Sequence, residues 1–154
     1  MTAAVRLWER MNELANIETV IDKWRREGTK FLPPMTETEV VSRLGRLGRH
    51  ISRDVIQLYC ATGGMADGEM DSASMWLWPL ARVVAENADA GGRLLYFADF
   101  LIDSHQYFLK YERADVSSVY VEDATGPRKV ADSLDEFFRL YLSDPDKIGL
   151  WGES

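Results

Sequence analysis

Asp103-Ser104-His105 sets the three residue types of a hydrolytic triad side by side, with a further carboxylate, Asp99, four positions upstream. A triad needs its nucleophile within hydrogen-bonding reach of its base. On an extended chain consecutive side chains alternate faces, so Ser104 points away from both neighbours. Asp99 and Asp103 would share a face some ~13 Å apart at about 3.3 Å per residue, too far to share a proton as a glycosidase pair does. A turn between them would shorten the distance, but nothing in the sequence requires one. They read instead as strand-end or loop carboxylates bonding backbone amides, or as part of a patch that binds a partner.

The remaining reactive types are sparse. The chain shows no nucleophile elbow and no glycine-rich phosphate loop. His50 and His105 have none of the usual metal-ligand spacings and read as structural histidines. Cys60 sits among apolar neighbours with no base near it in sequence, as a small core residue does. As the one cysteine of the chain it excludes an internal disulfide and a multi-cysteine metal site. Asp67, Glu69 and Asp71 alternate as in a calcium loop, yet Ser72 stands where the sharp-turn glycine belongs and Trp78 where the bidentate glutamate belongs. The expectation is no metal, no cofactor and no enzymatic activity.

The elements that would position these residues centre on 94–112, LLYFADFLIDSHQYFLKYE. Asp99, Asp103, His105 and Lys110 interrupt it too often for a membrane span. It reads as two buried strands, or one long bent strand, at the centre of a sheet. In its second half His105, Tyr107, Leu109 and Tyr111 share one face, and Gln106, Phe108 and Lys110 the other. Ahead of it, residues 75–80, MWLWPL, form a short strand closed by Pro79, with Trp76 and Trp78 on one face, and 81–89 form a helical turn. After it, a strand over 116–122, a turn over 123–128 and a return at 129–131 make a hairpin.

Helices flank this sheet. Leu7, Met11, Leu14, Ile17, Ile21 and Trp24 form one apolar stripe over 4–27, ended by Gly28. Such a stripe suits a dimer seam, but more often packs on its own core. Pro33-Pro34 breaks the chain before a helix opened by a capping box, Thr36 with Glu39, and a staple, Met35 with Val40. Val40, Val41, Leu44 and Leu47 supply its buried side. Arg43, Arg46, Arg49 and Arg53 would line the opposite side, read as a solvated face because no aromatic residues interleave. Ser52 caps a third helix, to about Thr62, with Val55, Ile56, Leu58 and Tyr59 inward and Gly63-Gly64 at its end. Ser133 and Glu136 form a second capping box for a last helix that packs Leu134, Phe137, Phe138 and Tyr141. The tail offers Ile148, Leu150 and Trp151 for docking.

At 154 residues with 46% hydrophobic and 28% charged residues, the chain fits one globular domain able to bury a full core. Its net charge of −7 is uneven: residues 1–66 sum to +2 and residues 67–154 to −9. The acidic half disfavours nucleic acid and anionic membranes and suits a basic partner. With a charged, helix-patterned start and a lone cysteine, the expected setting is the reducing cytoplasm.

The ordered set PPMTETEVVSRLGRLGRHISRDVIQLYCATGGM, MWLWPL, LLYFADFLIDSHQYFL and VADSLDEFFRLYL resembles the SUKH superfamily, the group joining fungal cell-wall-assembly regulators (the SMI-KNR family) to many bacterial immunity proteins. The resembling signatures are Thr62-Gly63-Gly64, Leu77-Trp78-Pro79-Leu80, Phe97-Ala98-Asp99 and Ser133 to Phe137. Two departures stand out: Ser52 where the family has proline, and an added first helix. The resemblance implies an α+β fold with a mostly antiparallel sheet flanked by helices; the chain is then a single domain over 1–154, with the added N-terminal helix in 1–30, a family-like core over 31–148 and a tail over 149–154. It implies a non-enzymatic immunity protein that binds and neutralises a cognate toxin, often a nuclease or deaminase. Candidate anchors are Trp76 and Trp78, and candidate rim carboxylates are Asp67, Glu69, Asp71, Asp99 and Asp103. A regulatory scaffold that binds a host enzyme is the second reading, and a small hydrolase using Asp99, Asp103 and His105 the third. Pairing between copies through the first helix stays open.

Overall fold

A five-stranded antiparallel sheet in the order β1-β2-β3-β4-β5 carries the chain: β1 (Met75–Leu77), β2 (Leu94–Phe100), β3 (His105–Arg113), β4 (Val116–Asp123) and β5 (Gly126–Ala131). The computed structural model describes residues 16–66, 75–88, 94–100 and 105–149. Around the sheet lie α1 (16–26), α2 (Glu37–Gly45), α3 (Arg53–Ala61), α4 (Leu80–Asn87), α5 (Leu134–Ser143) and a 3-10 turn at Pro145–Ile148. The fold is α+β in one domain. The apolar run over 94–112 resolves into two strands, β2 and β3, with Phe100 facing His105 across the pair.

Alternation decides which residues meet the helices. Tyr107, Leu109, Val119 and Val121 point to one face, all buried. There Phe137 of α5 meets Tyr107 at 5.1 Å and Phe97 at 6.0 Å, edge to face. Outside α5 lies α1, whose Trp24 packs on Tyr141 at 5.5 Å and donates its indole N–H to the Tyr141 hydroxyl at 2.7 Å. Gly28, at φ +91°, closes α1: its N–H bonds the Arg25 carbonyl and the Thr29 N–H the Trp24 carbonyl. The part of the apolar stripe before residue 16 lies outside the described residues.

Several local expectations need correction. In α3 the Ser52 hydroxyl makes no capping bond; it turns inward to Asp54, and the first helical N–H instead finds the Ala114 carbonyl at 2.8 Å. Val41 is 49% exposed, because α2 is short and turns only Val40 and Leu44 fully inward. The helix ends at Gly45, so the arginine stripe never forms: Arg49 reaches back to the carbonyls of Leu94 and Asn87, and Arg53 pairs with Glu37 at 3.5 Å. The strand expected over 75–80 stops at Leu77, since Pro79 stands at the N-cap of α4 and Leu80 is already helical. Thr36 and Glu39 make the full capping box, whereas Glu136 reaches past Ser133 to the Asp132 N–H.

Two of the segments that resemble SUKH signatures, Thr62-Gly63-Gly64 and Leu77-Trp78-Pro79-Leu80, meet in one junction. A Cβ on Gly63 would lie 2.4 Å from the Pro33 carbonyl oxygen. On Gly64, at φ +102°, it would lie 2.5 Å from both the Trp78 carbonyl oxygen and the Pro79 Cα. Only glycine allows that approach and that dihedral. Tyr59 donates its hydroxyl to the Trp78 carbonyl at 3.0 Å, and Leu80 N–H reaches the Gly63 carbonyl at 3.2 Å. Met65 bonds along β1 through Leu77 and bridges to Phe31, so the two segments extend the sheet beyond β1.

Candidate functional site

The indole of Trp78 lies inside that junction. It is 1% exposed and donates its N–H to Asp99, itself 2% exposed, at 2.7 Å. Neither presents a surface to a partner. The expectation that Trp78 shares a strand face with Trp76 also fails, because Trp78 follows the end of β1. Trp76 stays half-buried, and its ring and that of Trp78 both meet the Arg82 guanidinium, at 4.5 and 4.2 Å. The structure thus brings Trp76 and Trp78 together at Arg82, with Asp99 held by the Trp78 indole. Asp67, Glu69, Asp71 and Asp103 lie outside the described residues.

His105 parts company with Asp99. Asp99 pairs with Gln106 across β2–β3, so His105, one residue along, points to the opposite face. There it packs edge-on against Phe100 at 5.4 Å, with Nε2 3.6 Å from Asp123. Asp123 also takes bonds from Thr125 and from Arg128 at 2.9 Å, which hold its carboxyl far below the usual carboxylate range. His50 stacks near Tyr111 at 5.3 Å. The Cys60 thiol is pushed up, chiefly by burial, which opposes thiolate formation. Among the described residues no group of three or more His, Cys, Asp or Glu could hold a metal ion.

The second face of the sheet is a different surface. Helices α3 and α5 pack on the Tyr107 face, and α4 lies along the edge of β2, where Asn87 bonds the backbone N–H and carbonyl of Tyr96 at 2.9 Å each. On the remaining face, which Asp99 shares through its pairing with Gln106, Trp78 and the Arg82 side chain of α4 stand at the β1 end. Across that face, register sets Tyr96 beside Phe108 and Phe108 beside Tyr120. Phe108 and Tyr120 stack at 5.1 Å with 9° between planes, and Tyr96 tilts against Phe108 at 5.2 Å. Phe108 is buried between the two half-buried tyrosines. The Tyr96 hydroxyl donates to Glu122 at 2.6 Å; burial first, then this carboxylate, pushes the phenol up to about 12. At the far end of the strip Glu112 accepts from Ser118, and Lys129 pairs with Asp132 at 2.6 Å.

Sequence reasoning set Gln106, Phe108 and Lys110 on one face but missed Tyr96, Tyr120 and Glu122 as their neighbours. The turn after Arg113 alone would set Val121 opposite Phe108; a bulge between Tyr111 and Arg113 shifts the register by one and brings Tyr120 there, a step that the spacing of residues does not announce. Register also aligns Met75, Phe100, His105 and Asp123 at one end of the sheet.

Among the described residues no helix is long and apolar enough to cross a membrane. No protein-family model matches the chain, and no curated protein matches it.

Proposed function

We propose that this chain is a non-enzymatic, SUKH-like binding protein of the immunity kind, whose partner is a basic toxin domain. The observation that carries the reading lies on the second sheet face: an aromatic strip, Tyr96-Phe108-Tyr120, beside the half-buried carboxylate of Glu122. Rigid aromatics with a charged rim are the chemistry of a protein interface. Acidity of net −9 over residues 67–154 complements a toxin that is itself basic where it meets nucleic acid. The reading is supported too by the packing of Thr62-Gly63-Gly64 on Leu77-Trp78-Pro79-Leu80, whose indole bonds Asp99 of Phe97-Ala98-Asp99, so that three of the four SUKH-like segments touch in sequence order. It sets the protein in the cytoplasm, with no nucleic acid or membrane as ligand; Ile17, Ile21 and Trp24 of the α1 stripe are buried in the protein's own core.

The hydrolase reading gains no support from the geometry, because Asp99 and His105 face opposite sides of the sheet. The scaffold reading uses the same surface and differs only in partner. Affinity capture from the native host, with toxin expression induced, separates them. Wild-type bait is run beside a triple variant with Asp67, Glu69 and Asp71 changed to Lys. A basic toxin domain held by the wild type is the expected result, and loss of it from the variant would bring the acidic segment into the interface. Recovery of a housekeeping enzyme instead would overturn the immunity reading in favour of the scaffold.

A further inference from the structure

We infer that Glu122, with the rings of Tyr96, Phe108 and Tyr120, forms a receptor for an arginine side chain of the protein partner. The inference rests on the reading above that the partner is basic, and gives that surface its chemistry.

The neighbouring carboxylates have cations of their own. Asp123 has Arg128 and His105, and Asp132 has Lys129. Glu122 has only the neutral phenol of Tyr96, on Oε1, and no ion pair among the described residues. It is half-buried on a strand between aromatic neighbours, so it has lost part of its hydration without a countercharge. An incoming cation would restore that loss where water is already thinned.

The rings select the kind of cation. Tyr120 is held parallel to Phe108, so its ring plane is fixed before any partner arrives. A guanidinium is planar, weakly hydrated and able to lie over such a ring while giving a carboxylate two hydrogen bonds. A lysine ammonium is a compact, strongly hydrated charge that gains less from a flat aromatic wall. The charge of the acidic half favours a basic protein as the source of that arginine.

The test titrates the isotope-labelled full chain with an oligoarginine peptide and, separately, an oligolysine peptide of equal length, at physiological ionic strength. Saturable amide shifts are expected at Tyr96, Phe108, Tyr120 and Glu122. Glu122→Gln should weaken oligoarginine about tenfold, a change of 1.4 kcal/mol. Tyr96→Phe keeps the ring and frees the carboxylate, and should bind at least as tightly as the wild type. Oligolysine should bind several-fold more weakly. Shifts centred elsewhere, an unchanged affinity in Glu122→Gln, or equal binding of the two peptides would each overturn the inference. Thermal melts check every variant, and should Glu122→Gln fail to fold, Tyr120→Leu must show the loss instead. No toxin enters this titration. Arginine binding at the strip beside a captured housekeeping enzyme would therefore retain the receptor while sinking the immunity reading, and the reverse pair of results would do the opposite.

Discussion

On the covered face of the sheet, Asp54 is surrounded. It accepts from the Ser52 hydroxyl at 2.6 Å and from the backbone N–H groups of Ser117 and Leu134, tying α3 to β4 and to the start of α5. On the second face, Glu122 belongs to the same strand β4 that Asp54 touches, and it has one phenol. Both carboxylates have lost water. The first has been given partners from three elements and serves the fold. The second has been left a single neutral donor, and the rings beside it are ordered without being sealed over. The same sheet therefore uses one acid as a rivet and keeps another for a visitor.

Substitutions can break this contrast at graded strength. The largest effect should come from the junction that both faces depend on: Gly64→Ala puts a methyl against Trp78 and Pro79 at a left-handed dihedral, and should cost about 3–5 kcal/mol by urea unfolding. Asp54→Ala strands the Ser117 and Leu134 amides and should cost about 2–3 kcal/mol. Trp78→Phe removes one donor from the buried Asp99 and should cost about 2 kcal/mol, without altering capture of a partner by the folded fraction.

The pH dependence sharpens the same point. Burial raises the Asp54 carboxyl above its ordinary value, against the pull of its hydrogen bonds to Ser52, Ser117, Leu134 and Val55. The folded state thus favours the protonated form, and its contribution is fully present below the unfolded value near about 3.9. That contribution is lost as pH rises through the raised folded value. Unfolding measured across this window should show a decline that Asp54→Asn flattens; an identical slope in the variant would assign the decline to other groups. The smallest effect on stability, within about 0.5 kcal/mol, should come from Glu122→Gln. Its signature is instead a fall of the Tyr96 phenol from about 12, read by carbon NMR of the ring.

How far the sequence revealed this depended on whether a residue's role was local. The Thr36 capping box, the inward faces of α3 and α5, and the two strands within 94–112 all follow from spacing along the chain, and all are present. Trp76 and Trp78 looked like a pair because two positions separate them. The strand in fact stops at Leu77 because Pro79 opens a helix, and the two rings meet through Arg82 instead of along a strand face. Asp99 looked available because sequence shows charge but not the indole that buries it. Ser52 looked like a cap because its partner Ser117 is distant in sequence. The strip on the second face was hidden for the same reason, since Tyr96, Phe108 and Tyr120 come from three strands and become neighbours only through register.

Asn87 has a consequence for the company this molecule keeps. Its amide offers the β2 backbone one donor and one acceptor at Tyr96, the bonds another strand would make, while Arg49 takes the Leu94 carbonyl beside it. A side chain thereby impersonates a peptide group where β1 is too short to reach. The sheet is finished at that margin by chemistry rather than by length, and a second chain finds no ladder left to climb. In Asn87→Leu, similar in bulk but mute, the margin would stand unpaired and open to the backbone of another copy.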